Sequence, residues 1–223
     1  RIGINLKNAL NALKNQTFKD MEILLIDADT SDGTTEIMQS FLSDKRFRYI
    51  RTDSDSISNA RNLGIQEAKG KYIAFADKNV IFSDNLIESM YLSAEKQKAD
   101  LCVAPMASSD IYGKHEFKSS DLLLRRKIID KFDTDIIWNV AVTNKLFLKS
   151  KILEHNLSFQ PYGKARESAF TVPFAFESEK IVACSKGVVS YITPVSNEGV
   201  SEVNIENYLA AYDYIIRKAT QAF

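Results

Sequence analysis

The chain has 223 residues, of which 45% are hydrophobic and 26% are charged, a composition typical of a folded globular protein and not of a disordered one. Its 29 lysines and arginines balance its 29 aspartates and glutamates, so no excess of positive charge favours nucleic-acid binding. No apolar run approaches the roughly 18 to 20 residues that a membrane-spanning helix needs, and the first residues do not resemble a signal peptide. We therefore predict a cytoplasmic protein without a transmembrane segment.

Helices and strands alternate along the first half of the chain. A predicted amphipathic helix begins near Asn5, and an apolar run of strand length follows at 22–27. Further strands are predicted at 47–52, 71–77 and 100–106, with helices at 30–42, 58–70 and 83–99. Ser83 is the predicted N-cap of the last of these helices. The alternation indicates an α/β fold with a parallel sheet, in which ligands gather at the carboxyl ends of the strands.

The second half of the chain is less regular. Helices are predicted at 121–132, 166–178 and 204–223, and a short strand or turn leading into a helix at 144–156. The last helix carries apolar residues on roughly one face, namely Ile205, Leu209, Tyr212, Ile215 and Ile216. The segment 180–193 predicts two strands broken at Gly187, a candidate hairpin. Cys102 and Cys184 lie in apolar runs and are expected to be buried free thiols.

Four blocks of sequence together resemble the family 2 glycosyltransferases. They are LNALKNQTFKDMEILLIDADTSDGTTEIM, SNARNLGIQEAKGKYIAFAD, NKLFLKSKIL and RESAF. The resemblance covers about Leu6 to Thr193 and implies the GT-A fold, a Rossmann-like, mostly parallel sheet flanked by helices. We expect a single domain over 1–223, with 1–106 as the nucleotide-sugar-binding half and 107–223 as the acceptor-side half with a C-terminal helix.

The resemblance also implies a strand ahead of the first helix, whose carboxyl end contacts the nucleotide base. The given chain starts almost at once with the helix near Asn5. Two expectations follow. Either this strand exists outside the given sequence, or the donor site lacks one wall and the core strand comes from elsewhere.

Asp27 ends the predicted strand at 22–27 and corresponds to the family acid that holds the uracil or ribose of the nucleotide. Ala28 replaces the family's second acid, and Asp29 stands where glycine is usual. From the residues alone, a carboxylate at this end of a strand can accept hydrogen bonds from ribose hydroxyls or a base N–H. Asp32 and Thr30 have the alternative role of shaping the turn and capping the next helix.

Arg61 lies in SNARN, the block that resembles the family's Ser-x-Ala-Arg-Asn motif near the nucleotide. A guanidinium group can clamp a diphosphate or stack on a base with a geometry that lysine lacks. The alternative is an arginine on the solvated face of a helix. Asn62, next to it, is expected to secure the adjoining loop.

Asp77 follows the strand predicted at 71–77, where the family carries Asp-x-Asp or Asp-x-Asp-Asp. These acids hold Mg²⁺ or Mn²⁺, which bridges the phosphates of the donor. Here the acid is followed by Lys78, Asn79 and Val80, so Asp77 and Asn79 are the remaining candidate ligands. Because an amide brings no negative charge, we expect weak metal binding or none, and Lys78 could neutralise the diphosphate instead.

Glu167 corresponds to the aspartate of the family's Glu-Asp pair, the catalytic base, with Arg166 in place of the glutamate. An inverting transfer needs a carboxylate that takes the proton of the acceptor hydroxyl. The alternative is a glutamate that stabilises the first turn of a helix. Trp138 and Asn139 are candidates for lining the acceptor pocket, or the tryptophan is part of the core.

Two functions remain open. The first is an inverting glycosyltransferase that moves a sugar from a nucleotide-diphosphate sugar, in the first place a UDP-sugar, to a glycan or cell-surface polymer precursor. The second is a non-catalytic GT-A-like binding or scaffolding module of a larger surface-polymer biosynthesis protein. The replacements at Ala28, Asn79 and Arg166 favour the second. Either function allows other domains of a longer protein as partners, and peripheral contact with the inner face of the membrane.

Overall fold

A computed structural model of the chain describes residues 2–109, 128–131, 139–192 and 202–221. The helices are α1 (Ile2–Lys14), α2 (Thr34–Gln39), α3 (Ile57–Glu67), α4 (Leu86–Gln97), α5 (Lys149–Glu154), α6 (Arg166–Glu177) and α7 (Glu202–Gln221), with a 3₁₀ turn at Gly163–Ala165. The strands are β1 (Ile23–Ala28), β2 (Phe47–Thr52), β3 (Tyr72–Ala74), β4 (Val80–Phe82), β5 (Leu101–Val103), β6 (Met106–Ser109), β7 (Ile128–Ile129), β8 (Lys145–Leu148), β9 (Ile181–Ala183) and β10 (Val189–Ile192).

The strands form three sheets flanked by helices, which confirms the predicted α/β class. β1 and β2 pair in parallel, as the alternation of strands and helices predicts. A five-stranded sheet has the order β3-β8-β5-β9-β7, and a three-stranded sheet has the order β4-β10-β6. β8 runs antiparallel to both β3 and β5, so a strand from the second half of the chain separates two strands of the first half.

The hairpin predicted around Gly187 is wrong, because β9 and β10 belong to different sheets. β9 runs parallel to β5, and β10 runs parallel to β6. β9 and β10 therefore pair with two consecutive strands, β5 and β6. The chain leaves the first sheet for the second at residues 104–105 on one side and between β9 and β10 on the other. The backbone N–H of Cys184 donates to the carbonyl oxygen of Val103 at 2.9 Å, and that of Val189 donates to Pro105 at 2.9 Å.

Two other local predictions also differ from the structure. Ser83 is not an N-cap, since α4 begins at Leu86 and the hydroxyl oxygen of Ser83 accepts the backbone N–H of Val188 at 2.9 Å. Of the helix predicted over 121–132, only 128–131 are described, and Ile128–Ile129 form β7. The helix predicted over 204–223 is confirmed as α7, and much of its apolar face is exposed.

Ala211 and Ile215 are the apolar residues that α7 buries, whereas Leu209, Tyr212 and Ile216 are more than half exposed. The described part of α7 thus packs through a narrower stripe than the helical periodicity predicts. None of the described helices is both long and apolar enough to cross a membrane.

A cluster of aromatic side chains forms the centre of the largest core, against the five-stranded sheet. Its members are Phe75, Phe147, Phe159, Phe170 and Phe174, all less than 9% exposed. The rings of Phe159 and Phe170 stack with centroids 4.1 Å apart, which joins the segment before α6 to α6 itself. Cys102 and Cys184 are buried and free, as predicted.

Gly187 provides a test of the connection between β9 and β10. Its φ of 81° lies in the left-handed region, and a Cβ atom would lie 2.8 Å from Cα of Leu86. We expect Gly187→Ala to lower the free energy of unfolding by about 2–4 kcal/mol, from the unfavourable backbone conformation and the clash together. The measurement is urea unfolding followed by circular dichroism.

Gly64→Ala is the matched control for this substitution. Gly64 lies inside α3, and its added Cβ would meet a side-chain atom of Ile26 at 3.8 Å, an ordinary contact. Alanine at this position should leave the stability unchanged or raise it by up to about 1 kcal/mol. Equal unfolding midpoints for the two variants would contradict the assigned geometry at Gly187.

Candidate functional site

The carboxylate of Asp27, at the end of β1, is fully buried and saturated by protein donors. Its Oδ1 accepts the backbone N–H and the hydroxyl of Thr30, at 3.0 and 2.7 Å. Its Oδ2 accepts the hydroxyls of Thr35 and Tyr49, at 2.6 and 2.7 Å. Burial alone would raise the pKa of Asp27, but these hydrogen bonds together hold the pKa well below its usual range. Asp27 thus organises the turn after β1.

The turn after Asp27 is further shaped by its own polar side chains. Asp29 has a φ of 53°, which explains why glycine suits this position. Its carboxylate forms a half-exposed ion pair with Arg51 at 2.7 Å. Asp32 accepts the backbone N–H of Thr34 at 3.2 Å, which is the turn-shaping alternative considered for this residue.

The helix α3 is fixed at its start and positions Arg61. Ser56 caps the helix, and its hydroxyl oxygen accepts the backbone N–H of Asn59 at 3.3 Å. Asn62 exchanges two hydrogen bonds with the backbone of Phe159, at 2.8 and 2.9 Å, so it secures a segment 97 residues away along the chain. The Arg61 side chain is 9% exposed, and its guanidinium carbon lies 5.1 Å from the centroid of the Phe159 ring.

Arg61, Asp77 and Glu167 meet in what we call the ion-pair cluster. Nη2 of Arg61 donates to both carboxylate oxygens of Asp77, at 3.0 and 3.2 Å, and to Oε1 of Glu167 at 2.9 Å. The side chains of Asp77 and Glu167 are 42% and 25% exposed, so the acids face solvent while the arginine lies beneath them. The structure thus brings three of the five predicted site residues together.

Glu167 lies in the first turn of α6, and both of its oxygens have protein donors. Oε1 accepts from Arg61, and Oε2 accepts the backbone N–H of Val142 at 3.2 Å. Each oxygen retains a second lone pair, which leaves the group capable of accepting a proton.

Lys145, at the start of β8, is completely buried behind the ion-pair cluster. Its ammonium group donates to four oxygens between 2.6 and 3.1 Å away, which belong to Asn139, Ala141 and Asn144. Burial lowers the pKa of Lys145 to about 7, and the negative charge of Glu167 acts in the opposite direction. The lysine holds the segment 139–144, and this segment supplies the backbone N–H of Val142 to Glu167.

Asn79 and its neighbours do not suit a divalent cation. The amide oxygen of Asn79 accepts from the side chain of Asn5 at 3.2 Å, and Val80 is 2% exposed in the core. The carboxylate of Asp77 is already paired with Arg61. Within 2–109, 128–131, 139–192 and 202–221, no group of three or more His, Cys, Asp or Glu residues could hold a metal ion. Mg²⁺ and Mn²⁺ prefer several hard oxygen ligands, so these residues do not fit the metal of the Asp-x-Asp motif.

Lys145 and Tyr191 are neighbours of the cluster that sequence motifs did not single out. Burial raises the pKa of Tyr191, followed by the charges of Asp77 and Glu167. The only sequence signal for Lys145 is a charged residue within the apolar strand run KLFL. Asn139 faces Lys145, and its predicted companion in the acceptor pocket, Trp138, lies outside the described residues.

Solved structures identify the class of fold. The chain matches residues 1–349 of S. aureus TarS in complex with UDP-GlcNAc, with a TM-score of 0.80 over 97% of this chain and 65% of that chain, at 14% identity. It also matches the mannosyltransferase PcManGT of Pyrobaculum calidifontis in complex with GDP-Man and Mn²⁺, with a TM-score of 0.63 over 99% and 70% of the two chains, at 11% identity. The fold is the GT-A fold.

Sequence comparisons then give the family. The model of Glycosyl transferase family 2 matches residues 4–155, and the chain belongs to this family. The uncharacterized glycosyltransferase EpsJ of Bacillus subtilis (strain 168) is 26% identical over 97% of this chain and 64% of its own length. The poly(ribitol-phosphate) β-N-acetylglucosaminyltransferase TarP of Staphylococcus aureus (strain N315) is 25% identical over 79% of this chain and 55% of its own length. The chain thus spans less than two-thirds of each relative.

The structural role of Asp27 gives a first prediction for the site. Asp27→Asn should lower the free energy of unfolding at pH 7 by about 1–3 kcal/mol, because the amide cannot accept all four hydrogen bonds of the buried carboxylate. Since the pKa of Asp27 is lower in the folded state, its contribution is present above about pH 4 and is lost as the pH falls further. Urea unfolding between pH 2 and 7 measures both effects.

Asp32→Asn is the matched control for Asp27. Asp32 is exposed and lies in the same turn, so its substitution should cost much less stability at pH 7. Equal losses for the two variants would show that burial of the Asp27 carboxylate does not support the turn.

The buried Lys145 predicts a second, opposite dependence on pH. Its pKa is about 7 in the folded protein and near the ordinary value of 10.5 in the unfolded chain. Between these values the unfolded chain binds one more proton, so Lys145 makes the free energy of unfolding rise by about 1.4 kcal/mol per pH unit. Lys145→Met should remove this slope between pH 7 and 9.5, whereas Lys96→Met, which replaces an exposed lysine of α4, should retain it. An unchanged slope in Lys145→Met would refute the lowered pKa.

Proposed function

We propose that the chain transfers a sugar, with inversion, from a nucleotide-diphosphate sugar to a hydroxyl of a glycan or cell-surface polymer precursor. The observation that carries the proposal is the ion-pair cluster, which places Arg61, Asp77 and Glu167 together after β3 and at the start of α6. Membership of glycosyltransferase family 2 supports the reaction class. The names of TarP and of the TarS complex support a UDP-sugar as the first donor to test and a surface polymer as the acceptor.

In the proposed reaction Glu167 is the base. Its carboxylate takes the proton of the acceptor hydroxyl while the hydroxyl oxygen attacks the anomeric carbon. The bond from this carbon to the diphosphate oxygen breaks, and the nucleoside diphosphate leaves with the electron pair. Arg61 and the backbone of Val142 hold the carboxylate in place, and the partial exposure of Glu167 gives the acceptor access.

A non-catalytic binding module remains the second candidate, because a specific observation favours it. Asp27, the residue expected to hold the nucleotide, directs both oxygens to protein donors. Nucleotide binding would therefore depend on Arg61 and Asp77 or on backbone groups of the turn. As a non-catalytic module, the protein would bind a glycan or a partner domain. Both proposed functions are compatible with peripheral contact with the cytoplasmic face of the membrane.

The test measures UDP release from a panel of UDP-sugars, with and without poly(ribitol phosphate) as acceptor. Glu167→Gln should lower the transfer rate by about 100-fold or more, because the amide cannot take the proton. It should leave the affinity for UDP, measured by calorimetry, within a few-fold of the wild type. Glu154→Gln, an exposed glutamate at the end of α5, is the control and should keep full activity.

Three results decide between the proposals. Transfer by the wild-type protein that Glu167→Gln abolishes supports the glycosyltransferase and the base together. Undiminished transfer by Glu167→Gln would refute the role of the base. Binding of UDP without turnover of any donor by the wild-type protein would favour the non-catalytic module.

A further inference from the structure

Two guanidinium groups lie at the ion-pair cluster with donors to spare. Arg61 makes all three of its bonds to Asp77 and Glu167 through Nη2, and its Nη1 is buried without a partner among the described residues. An unpaired buried N–H costs free energy unless a ligand or water accepts it. Arg61 thus has an unused donor beside solvent-facing acids.

Arg166 is the second of these groups. It directly precedes Glu167 and is partly buried, and its guanidinium group forms no hydrogen bond or ion pair with another described residue. Burial lowers the pKa of Arg166, followed by the positive charge of Arg61, while Glu167 and Asp77 act in the opposite direction. Arg166 and Glu167 are the first two residues of α6, and Arg61 binds Glu167, so both arginines lie at the same end of this helix. An anion between them would offset their like charges.

The charges of the site suit an anion better than a cation. Four of the positions at which the resemblance to the family motifs places acids are 77, 79, 166 and 167, and they hold Asp77, Asn79, Arg166 and Glu167. Two acids and one arginine at these positions leave a formal charge of −1, which the adjacent Arg61 neutralises. The carboxylates of Asp77 and Glu167, which could attract a divalent cation, are already paired with Arg61. Nη1 of Arg61 and the guanidinium group of Arg166 are left as donors for phosphate oxygens.

We propose that this site binds the diphosphate of the donor through the guanidinium groups of Arg61 and Arg166, without a divalent cation. The inference rests on the proposed function and specifies how the same site recognises its substrate. Asp77 then acts as a positioning residue that fixes Arg61, and not as a metal ligand. The arginines also stabilise the charge that develops on the diphosphate as it leaves, the contribution that a metal ion otherwise makes.

The experiment is isothermal titration calorimetry of the full chain with UDP, in the presence of a chelator and again with Mn²⁺. We expect the affinities for UDP with chelator and with Mn²⁺ to agree within about twofold. A tenfold difference would correspond to about 1.4 kcal/mol of binding free energy contributed by the metal. Inorganic pyrophosphate should compete with UDP in the chelated sample. Binding should weaken with added salt, since the proposed contacts are between charges.

Variants of Arg166 test the residue itself. Arg166→Gln should weaken UDP binding in chelator by about tenfold or more, the typical effect of losing hydrogen bonds to a charged group. Arg166→Lys keeps the charge but loses the paired geometry, and it should give an intermediate affinity. Arg217→Gln is the control, since it removes an exposed arginine of α7 and should bind like the wild type. Thermal unfolding confirms that each variant is folded.

The outcomes separate this inference from the proposed function. UDP binding that requires Mn²⁺ would overturn the metal-independent site and leave the glycosyltransferase standing. Binding in chelator that Arg166→Gln and Arg166→Lys both leave unchanged would also overturn it, because the second arginine would then have no part in recognition. No binding of UDP in either condition would overturn the donor site and this inference together.

Discussion

The guanidinium group of Arg61 is the contact on which the candidate site depends. It is 9% exposed, and a buried cation is tolerated only where opposite charges and hydrogen-bond acceptors surround it. Asp77 and Glu167 meet this requirement from two separate parts of the chain, and the ring of Phe159 covers one side of the group. The positions of α3, of the turn after β3 and of the start of α6 are therefore coupled through one side chain.

Two other buried charges support the surroundings of the cluster in the same way. Asp27 collects four donors and shapes the turn after β1, and Lys145 collects four acceptors and holds the segment 139–144. Neither side chain reaches solvent, so both stabilise backbone segments and are unsuited to direct contact with a ligand. The acids of the ion-pair cluster are supported by these segments and by the aromatic core, since Val142 donates to Glu167 and Phe159 packs against Arg61.

The chain combines an intact family 2 framework with altered chemistry at the acid positions. The GT-A fold and the family match extend over most of the described residues, and the resemblance to the family motifs predicts acids at positions 79 and 166, which hold Asn79 and Arg166. In the proposed arginine-based site, an amide and a guanidinium at these positions favour an anionic ligand over a cation. Both residues lie at the ends of elements, Asn79 before β4 and Arg166 at the start of α6. A metal-dependent donor site can in this way become an arginine-based one, or a binding site without catalysis.

The sequence by itself determined the elements that depend on local pattern. The alternation of apolar runs and helical spacing gave the α/β class, the burial of Cys102 and Cys184, and the strand ends at which Asp27 and Asp77 lie. Family motifs singled out Arg61 and Glu167 individually. Only the tertiary structure decided that these two side chains, 106 positions apart, share one ion pair, and that β9 and β10 join different sheets instead of forming a hairpin. The tertiary structure also decided that protein donors occupy both carboxylate oxygens of Asp27, and that Lys145, in an apolar strand, holds the segment next to Glu167. The physical reason is that periodicity reports which face of an element is apolar, whereas strand pairing and buried charge networks are fixed by partners that are distant along the chain.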